Sequence, residues 1–239
     1  MTLPDIAIVK EFIELEVVDS TNRYALDTGK VGLLVVAKAQ TSGRGRRGRA
    51  WYSPRGKNLY MTLTVSCPDS RYPIIIGVAL HEVITSLTGR KDVIIKWPND
   101  ILIGGKKVCG ILCEAKGGIT ALGIGVNINQ DHWPEDISEK AISLKEASMH
   151  PFNIPHILNK IVVSLDKWLS IYWKDGFSPI REAFLRHSHI IGVMARTEDG
   201  RRCKVIGLSM EGYLLIKVSG HTQQLICDDI HIDVKNSRE

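Results

Sequence analysis

The chain has 239 residues, 44% of them hydrophobic and 24% charged, with a formal net charge of +5. That length buries a sizeable core as one large domain plus a small one; no apolar run is long enough to cross a bilayer, and the start does not read as a leader peptide. Five cysteines, odd in number and without a CxxC pair, exclude a disulfide framework and a structural zinc site and fit reduced thiols in a cytoplasmic protein.

The stretch "FIELEVVDSTNRYALDTG" predicts a strand ending near Val18 and then a short helix, with Asp19, Ser20 or Thr21 as its cap and Gly29 at its exit. "VGLLVVAKAQ" is a continuous apolar run of strand length, as in a strand buried on both faces. "NLYMTLTVS" follows as the next strand. "YPIIIGVALHEVITSLTG" carries an early proline, helical spacing and a closing Gly89, which predicts a buried helix. "ILI", "KKVCGILCEA" and "ITALGIGVNI", joined by Gly104-Gly105 and Gly117-Gly118, read as a three-stranded antiparallel meander. "PHILNKIVVSLDKWLSIYWKDG" has one apolar stripe and predicts an amphipathic helix; Ser178 and Pro179 open another. After about Ile190 short alternating strands with Asp-Gly, Glu-Gly and Ser-Gly turns predict a small β-barrel. Two domains are expected, 1–188 and 189–239.

Three stretches carry chemistry. In "TSGRGRRGRAWYSPRGKNLY", Arg44, Arg46, Arg47 and Arg49 alternate with Gly43, Gly45 and Gly48, and Trp51 follows. Arginine forks and approachable backbone N–H groups suit phosphate or carboxylate. A solvated basic loop and a nucleic-acid contact are the other readings. The spacing is neither a Walker loop nor a dinucleotide fingerprint. In "KWPND", Asn99 and Asp100 either shape a turn or serve a site, Asp100 helping to hold a Mg²⁺ carried mainly by nucleotide phosphates. On a regular strand "KKVCGILC" places Lys107 on one face with Cys109, Ile111 and Cys113, where its charge needs a partner; it reaches water or awaits an anion. Gly110, on the opposite face, suits close approach of a ligand.

"DSTN", "AQTSGRGRRGRAW" with "NLYMTL", "KWPND", "GKKVCGILCE" and "GIGVNIN" occur in order, and together they resemble the biotin protein ligases, or biotin–acetyl-CoA-carboxylase ligases. The resemblance is strongest from Val17 to Gln130. It implies an α+β fold: a mixed, largely antiparallel class II synthetase-like sheet with helices on one side, followed by an SH3-like barrel. The implied reaction has two steps. Biotin attacks the α-phosphate of Mg·ATP to give biotinyl-5′-AMP, and a lysine of a biotin carboxyl carrier protein then takes the biotinyl group.

By motif match, Ser20, Thr21, Asn22 and Gln40 hold the biotin head, with Gly110 letting it approach. Arg44, Gly45 and Arg46 lie over biotin and the adenylate, and Lys107 binds the reacting carboxylate and the phosphate. Arg47, Trp51, Asn99 and Asn127 serve the nucleotide, and Asp100 the metal or the incoming amine. The arginine loop is then a mobile lid whose charges a phosphate neutralises. A homodimer is expected, and no membrane contact. Only eighteen residues precede "DSTN", so no sequence-specific DNA binding is expected. The rival readings are a lipoate or octanoate ligase and a nucleic-acid-binding module.

Overall fold

The computed structural model describes residues 6–197 and 199–226 and the backbone of residues 231–232. Strands β1 (Glu11–Leu15) and β2 (Leu33–Ala37) pair in parallel around helix α1 (Thr21–Thr28), and β3 (Leu59–Ser66) turns back antiparallel to β2. After α2 (Tyr72–Thr88) come β4 (Val93–Lys96), β5 (Asp100–Ile103), β6 (Lys106–Lys116) and β7 (Ile119–Val126), the last three each antiparallel to the strand before it. The expected meander is present, and β4 extends it. Strand β7 also pairs with β3, closing a seven-stranded mixed sheet in the order β1-β2-β3-β7-β6-β5-β4.

Side chains alternate across this sheet. Leu34, Val36, Leu59, Met61, Leu63 and Val65 join the main core, while Leu33 and Val35 point the other way, onto Ala25 and Tyr24 of α1. Helices α2, α5 (Ile154–Asp175) and α6 (Ser178–Ser188) supply that main core. The three long helices thus lie on one side, as the sequence suggests, and α1 covers part of the other.

Gly29 and Gly89 end their helices at φ 68° and 65°, a left-handed exit that glycine adopts without strain. The first strand stops at Leu15, short of Val18, which makes only an isolated bridge to Gln40. Between β7 and α5 lie two short helices, α3 (Glu135–Ser138) and α4 (Leu144–Ser148). A Ser143–Glu146 capping box starts α4. Helix α5 begins at Asn153, whose side chain accepts from His156 N at 2.9 Å. Ser178 is the first residue of α6 and not its cap; Phe177 precedes it.

Strands β8 (Met194–Arg196), β9 (Arg202–Leu208), β10 (Leu214–Val218), β11 (His221–Leu225) and β12 (His231–Ile232) form an antiparallel sheet in the order β11-β10-β9-β8-β12. Among the described residues β11 and β12 are not paired with each other, so the expected barrel is seen as an open sheet. Beyond Ile226 only the backbone of residues 231–232 is described, and the rest of the expected barrel lies outside the described residues. The apolar side of the sheet, with Val205, Leu208, Leu214 and Ile216, is continuous with the main core. Hydrogen bonds tie it down: Trp97 Nε1 donates to Gly212 O at 3.2 Å, Arg181 Nε to Leu208 O at 2.6 Å and Ser70 Oγ to Glu211 O at 3.3 Å.

Candidate active site

The face of the sheet that carries α1 has a cleft where β3, β6 and β7 are stripped of large side chains. Gly110 of β6 pairs directly with Gly125 of β7. A Cβ at Gly125 would lie 2.5 Å from the Trp51 indole, and one at Gly110 2.8 Å from Trp51 Cζ3. Gly123 is covered as closely by the Asn22 amide. These glycines make a bare floor, which is what a flat ligand or ring needs to reach the backbone.

Lys107 reaches this floor by a backbone irregularity. Ile101 pairs with Cys109, but the next residue, Leu102, pairs with Lys107, so β6 carries one extra residue at Val108. A bulge of this kind re-aims the side chains before it. Val108 and Cys109 are both fully buried in the core, and Lys107 emerges on the opposite face, beside Gly110. The expectation that Lys107 shares a face with Cys109 and Ile111 therefore fails. The cost of a lysine among apolar side chains does not arise. Its Nζ lies 2.7 Å from Asp100 Oδ1, an ion pair off hydrogen-bond alignment, and 5.1 Å from the Trp51 ring centroid.

The bulge is clamped from its other side. Lys107 N donates to Lys140 O at 2.7 Å, and Lys107 O accepts from Ile142 N at 3.0 Å. Asn127 completes the clamp, donating Nδ2 to Lys107 O and Ile142 O at 3.2 and 3.3 Å. Asn127 is only 4% exposed, and it sits behind the cleft rather than in it. It holds the lysine's backbone.

The other end of the cleft is a polar cup at the start of α1. Ser20 is the N-cap by position, yet its side chain makes no capping bond. Gln40 takes over: its Oε1 accepts from Thr21 N at 2.9 Å and Thr21 Oγ1 at 3.2 Å. Ser20, released from capping, lines the cleft. Thr62 of β3 donates to Asn22 Oδ1 at 2.7 Å, while Asn22 Nδ2 donates to Leu112 O at 3.0 Å and Glu114 Oε2 at 2.8 Å.

The arginine–glycine stretch forms a short hairpin above the cleft. Arg44 and Ala50 make an antiparallel bridge, Gly45 N donates to Arg49 O at 2.7 Å, and Trp51 N to Gly43 O at 2.9 Å. A single 3₁₀ turn at Arg46–Gly48 forms the tip, with Arg47 at φ 57°. The stretch is not the structureless loop its composition suggests, because its ends pair with each other. Arg46 Nη1 reaches Asn99 Oδ1 at 3.3 Å, and Asn99 Nδ2 is tied to Ile111 O at 2.9 Å. Of the residues singled out in the sequence, Ser20, Thr21, Asn22, Gln40, Arg44, Gly45, Arg46, Trp51, Asn99, Lys107 and Gly110 meet at this one cleft. Arg47 and Asn127 do not line it, and Asp100 touches it only through Lys107.

Residues 14–131 match the model of the biotin/lipoate A/B protein ligase family. The biotin–[acetyl-CoA-carboxylase] ligase of Paracoccus denitrificans is 30% identical, over 83% of this chain and 91% of that protein. The bifunctional ligase/repressor BirA of Bacillus subtilis is 32% identical, over 89% of this chain and 70% of that one. The chain belongs to the biotin protein ligase family. The fold agrees: the biotin protein ligase from Aquifex aeolicus, solved in complex with biotin and ATP, superposes with a TM-score of 0.84 over 93% of this chain and 98% of that one, at 28% identity. The Leishmania major biotin protein ligase in complex with biotinyl-5-AMP gives 0.65 over 91% and 99%, at 26% identity.

Two cleft residues and one beside them were given no role from the sequence. Gly123 and Gly125 lie within the quoted motif "GIGVNIN", where a glycine alternating with bulky residues was the available signal. Glu114 ends the motif "GKKVCGILCE" and turns out to touch both Asn22 and Arg44. Burial pushes the Cys109 and Cys113 thiols well above the usual range, which disfavours the thiolate a nucleophile needs.

Proposed function

We propose that this ATP-dependent biotin protein ligase runs both half-reactions over the Gly110–Gly125 floor, with the bulge-directed Lys107 ammonium as the observation that carries the reading. In the first step two anions meet, the biotin carboxylate and the ATP α-phosphate. Their repulsion has to be cancelled where charge builds on phosphorus, and a fixed cation does this without reorganising. Lys107 supplies it by exchanging Asp100 for the substrates. The cup of Ser20, Thr21, Asn22 and Gln40 suits a biotin head that both donates and accepts. With both amide hydrogens engaged in the protein, Asn22 offers only an acceptor lone pair to the ligand.

Trp51 Nε1 is buried with no acceptor among the described residues. Its ring and Asn99 are assigned to the nucleotide, with Arg46 bridging the two halves. Arg47 is assigned to the ATP phosphates from the hairpin tip. Among the described residues no group of three His, Cys, Asp or Glu side chains could cage a metal. That donor set fits a Mg²⁺ brought by ATP, which would supply charge neutralisation on the phosphates, with the Asp100 carboxylate beside Lys107 helping to hold it. The hairpin excludes water from the mixed anhydride. The acceptor is a lysine amine of a biotin carboxyl carrier protein, so no residue of this chain needs to be a covalent nucleophile.

Residues 189–239 are assigned a bracing role: the Trp97–Gly212 bond ties the second sheet to the turn that bears Asn99 and Asp100. A homodimer through an open sheet edge, a cytoplasmic location and the absence of sequence-specific DNA binding complete the proposal. Sedimentation at micromolar concentration and a gel shift at physiological salt check the first and last.

The direct test is pyrophosphate exchange into Mg·ATP with biotin, with lipoate and with no acid. Exchange driven by biotin alone is expected; exchange driven by lipoate moves the assignment to lipoate ligases, and none with either acid ends it. A second check is Arg46→Gly, which is expected to release biotinyl-AMP and label bystander lysines above the wild-type level.

A further inference from the structure

Glu114 sits on the floor side of β6, two residues beyond Leu112 and four beyond Gly110, on the same alternation. A single carboxylate oxygen, Oε2, accepts from Asn22 Nδ2 at 2.8 Å and from Arg44 Nη2 at 3.1 Å. Those two donors belong to parts of the chain that are otherwise separate. Asn22 is in the first turn of α1 and forms the wall of the polar cup, whereas Arg44 is the first arginine of the hairpin and pairs with Ala50 on its other limb. Among the described residues, Glu114 is the only side chain that joins both.

We propose that Glu114 is a positioning residue that latches the arginine–glycine hairpin to the biotin cup and, through the same oxygen, fixes the orientation of the Asn22 amide. The proposal rests on the ligase reading and deepens it. The Glu114 carboxylate neutralises Arg44 at the base of the hairpin, an ion pair with Nη2 and Oε2 3.1 Å apart.

The second half of the latch concerns recognition. Asn22 has two amide hydrogens, and both have acceptors: Leu112 O and Glu114 Oε2. Its carbonyl oxygen accepts from Thr62. Removing the Glu114 acceptor leaves one N–H without a partner, and the amide gains a second orientation in which an N–H faces the cup. An N–H there meets the N–H groups of the biotin ring instead of accepting from them. Hairpin closure and head-group recognition are therefore set by one group.

Two variants separate these effects. Glu114→Gln keeps an oxygen acceptor for Asn22 but loses the charge that holds Arg44. Glu114→Leu loses both. In Glu114→Gln the biotin KM is expected within threefold of wild type, while release of biotinyl-AMP speeds up about tenfold, the difference between a charge-assisted and a neutral hydrogen bond. In Glu114→Leu the biotin KM also rises, by about tenfold or more. The double variant Arg44→Gln/Glu114→Gln is expected to release the intermediate no faster than Arg44→Gln alone.

Hydrogen exchange of the ligand-free protein gives a readout that needs no substrate. The Gly45 and Trp51 amides, bonded to Arg49 O and Gly43 O across the hairpin, are expected to exchange faster in both variants. Unchanged exchange at those amides overturns the latch, whether or not the protein activates biotin. Additive release rates in the double variant overturn it as well. So does a uniform fall in kcat that follows a lowered Tm with no change in KM. Wild-type protein that shows no biotin-dependent pyrophosphate exchange sinks the ligase reading instead, and leaves the hydrogen-exchange result standing on its own.

Discussion

The two faces of the seven-stranded sheet are built from the same strands and differ in almost every physical respect. On the helix side, β2, β3, β6 and β7 present Leu34, Met61, Leu63, Val108, Cys109, Ile111, Leu122 and Ile124, all in the main core. On the other side β2 packs Leu33 and Val35 onto α1, while β3, β6 and β7 present Thr62, Lys107, Gly110, Glu114, Gly123 and Gly125. One face is filled to the density that holds the fold, and the other is bare over β6 and β7, where the Trp51 indole lies on the backbone. The lesson is that packed core and open cleft are separated by strand alternation, and the point where alternation breaks, at Val108, is where Lys107 is delivered to the cleft.

The sharpest way to break the comparison is to damage one face and read the other. Leu63→Ala leaves a cavity on the core side and is expected to cost about 2–5 kcal/mol of stability. Denaturant unfolding measures it, and biotin KM per folded molecule should not move. Lys107→Ala is the converse. Losing a charge-assisted bond of about 1.5–3 kcal/mol should slow adenylate formation roughly ten- to hundredfold, with the unfolding midpoint unchanged; near-wild-type exchange would remove Lys107 from the mechanism.

Filling the floor sharpens the contrast. Gly125→Ala puts a methyl where Trp51 lies, at 2.5 Å from the indole, and overpacking of this kind costs about 1–3 kcal/mol. The loss is expected in ATP affinity, read by titration calorimetry, with biotin affinity changed less. A matching affinity loss for both ligands would mean that Trp51 is not on the nucleotide side.

The smallest effect concerns pH and belongs to the core face. His81 stacks on His187 with centroids 4.2 Å apart and contacts Val93 O through Nε2 at 3.1 Å. Burial first, then the neighbouring His187 and His189 charges, lower its pKa from 6.5 to about 4, against the raising effects of the Val93 O hydrogen bond and, smaller, of Glu82. A histidine held neutral in the fold is protonated first in the unfolded chain. Stability from this group is therefore complete above pH 6.5, falls as pH drops toward 4, and is level below. Between pH 6 and 5 the expected loss is about 1 kcal/mol per pH unit. His81→Gln should flatten that slope in pH-dependent unfolding, while the pH profile of pyrophosphate exchange by folded enzyme stays as in wild type.

Much of the fold was legible because it depends on local signals. The apolar run Leu33–Ala37, the helical stripe of α5 and the Gly-Gly turns of the meander each report a short-range preference that tertiary contacts reinforce. The order of "DSTN", the arginine–glycine stretch, "KWPND" and "GKKVCGILCE" was enough to name the reaction, since a linear pattern survives without knowing where side chains point. Ser20, Gln40, Lys107 and Trp51 could thus be assigned to one site.

What the tertiary structure alone decided are matters of direction and partnership. Whether Lys107 faces the core or the cleft depends on one extra residue in β6, which no periodicity reveals because a regular strand predicts the opposite face. Whether Ser20 caps α1 or faces a ligand depends on Gln40, nineteen residues away, taking the Thr21 N–H. Asn127, expected from "GIGVNIN" on the nucleotide side, lies behind Lys107, where its amide donates to Lys107 O and Ile142 O. Glu114 gained its role only when β6 brought it between Asn22 and Arg44. Sequence sets which groups exist and in what order; long-range hydrogen bonds, formed only when the sheet closes, settle which of them remain available for chemistry.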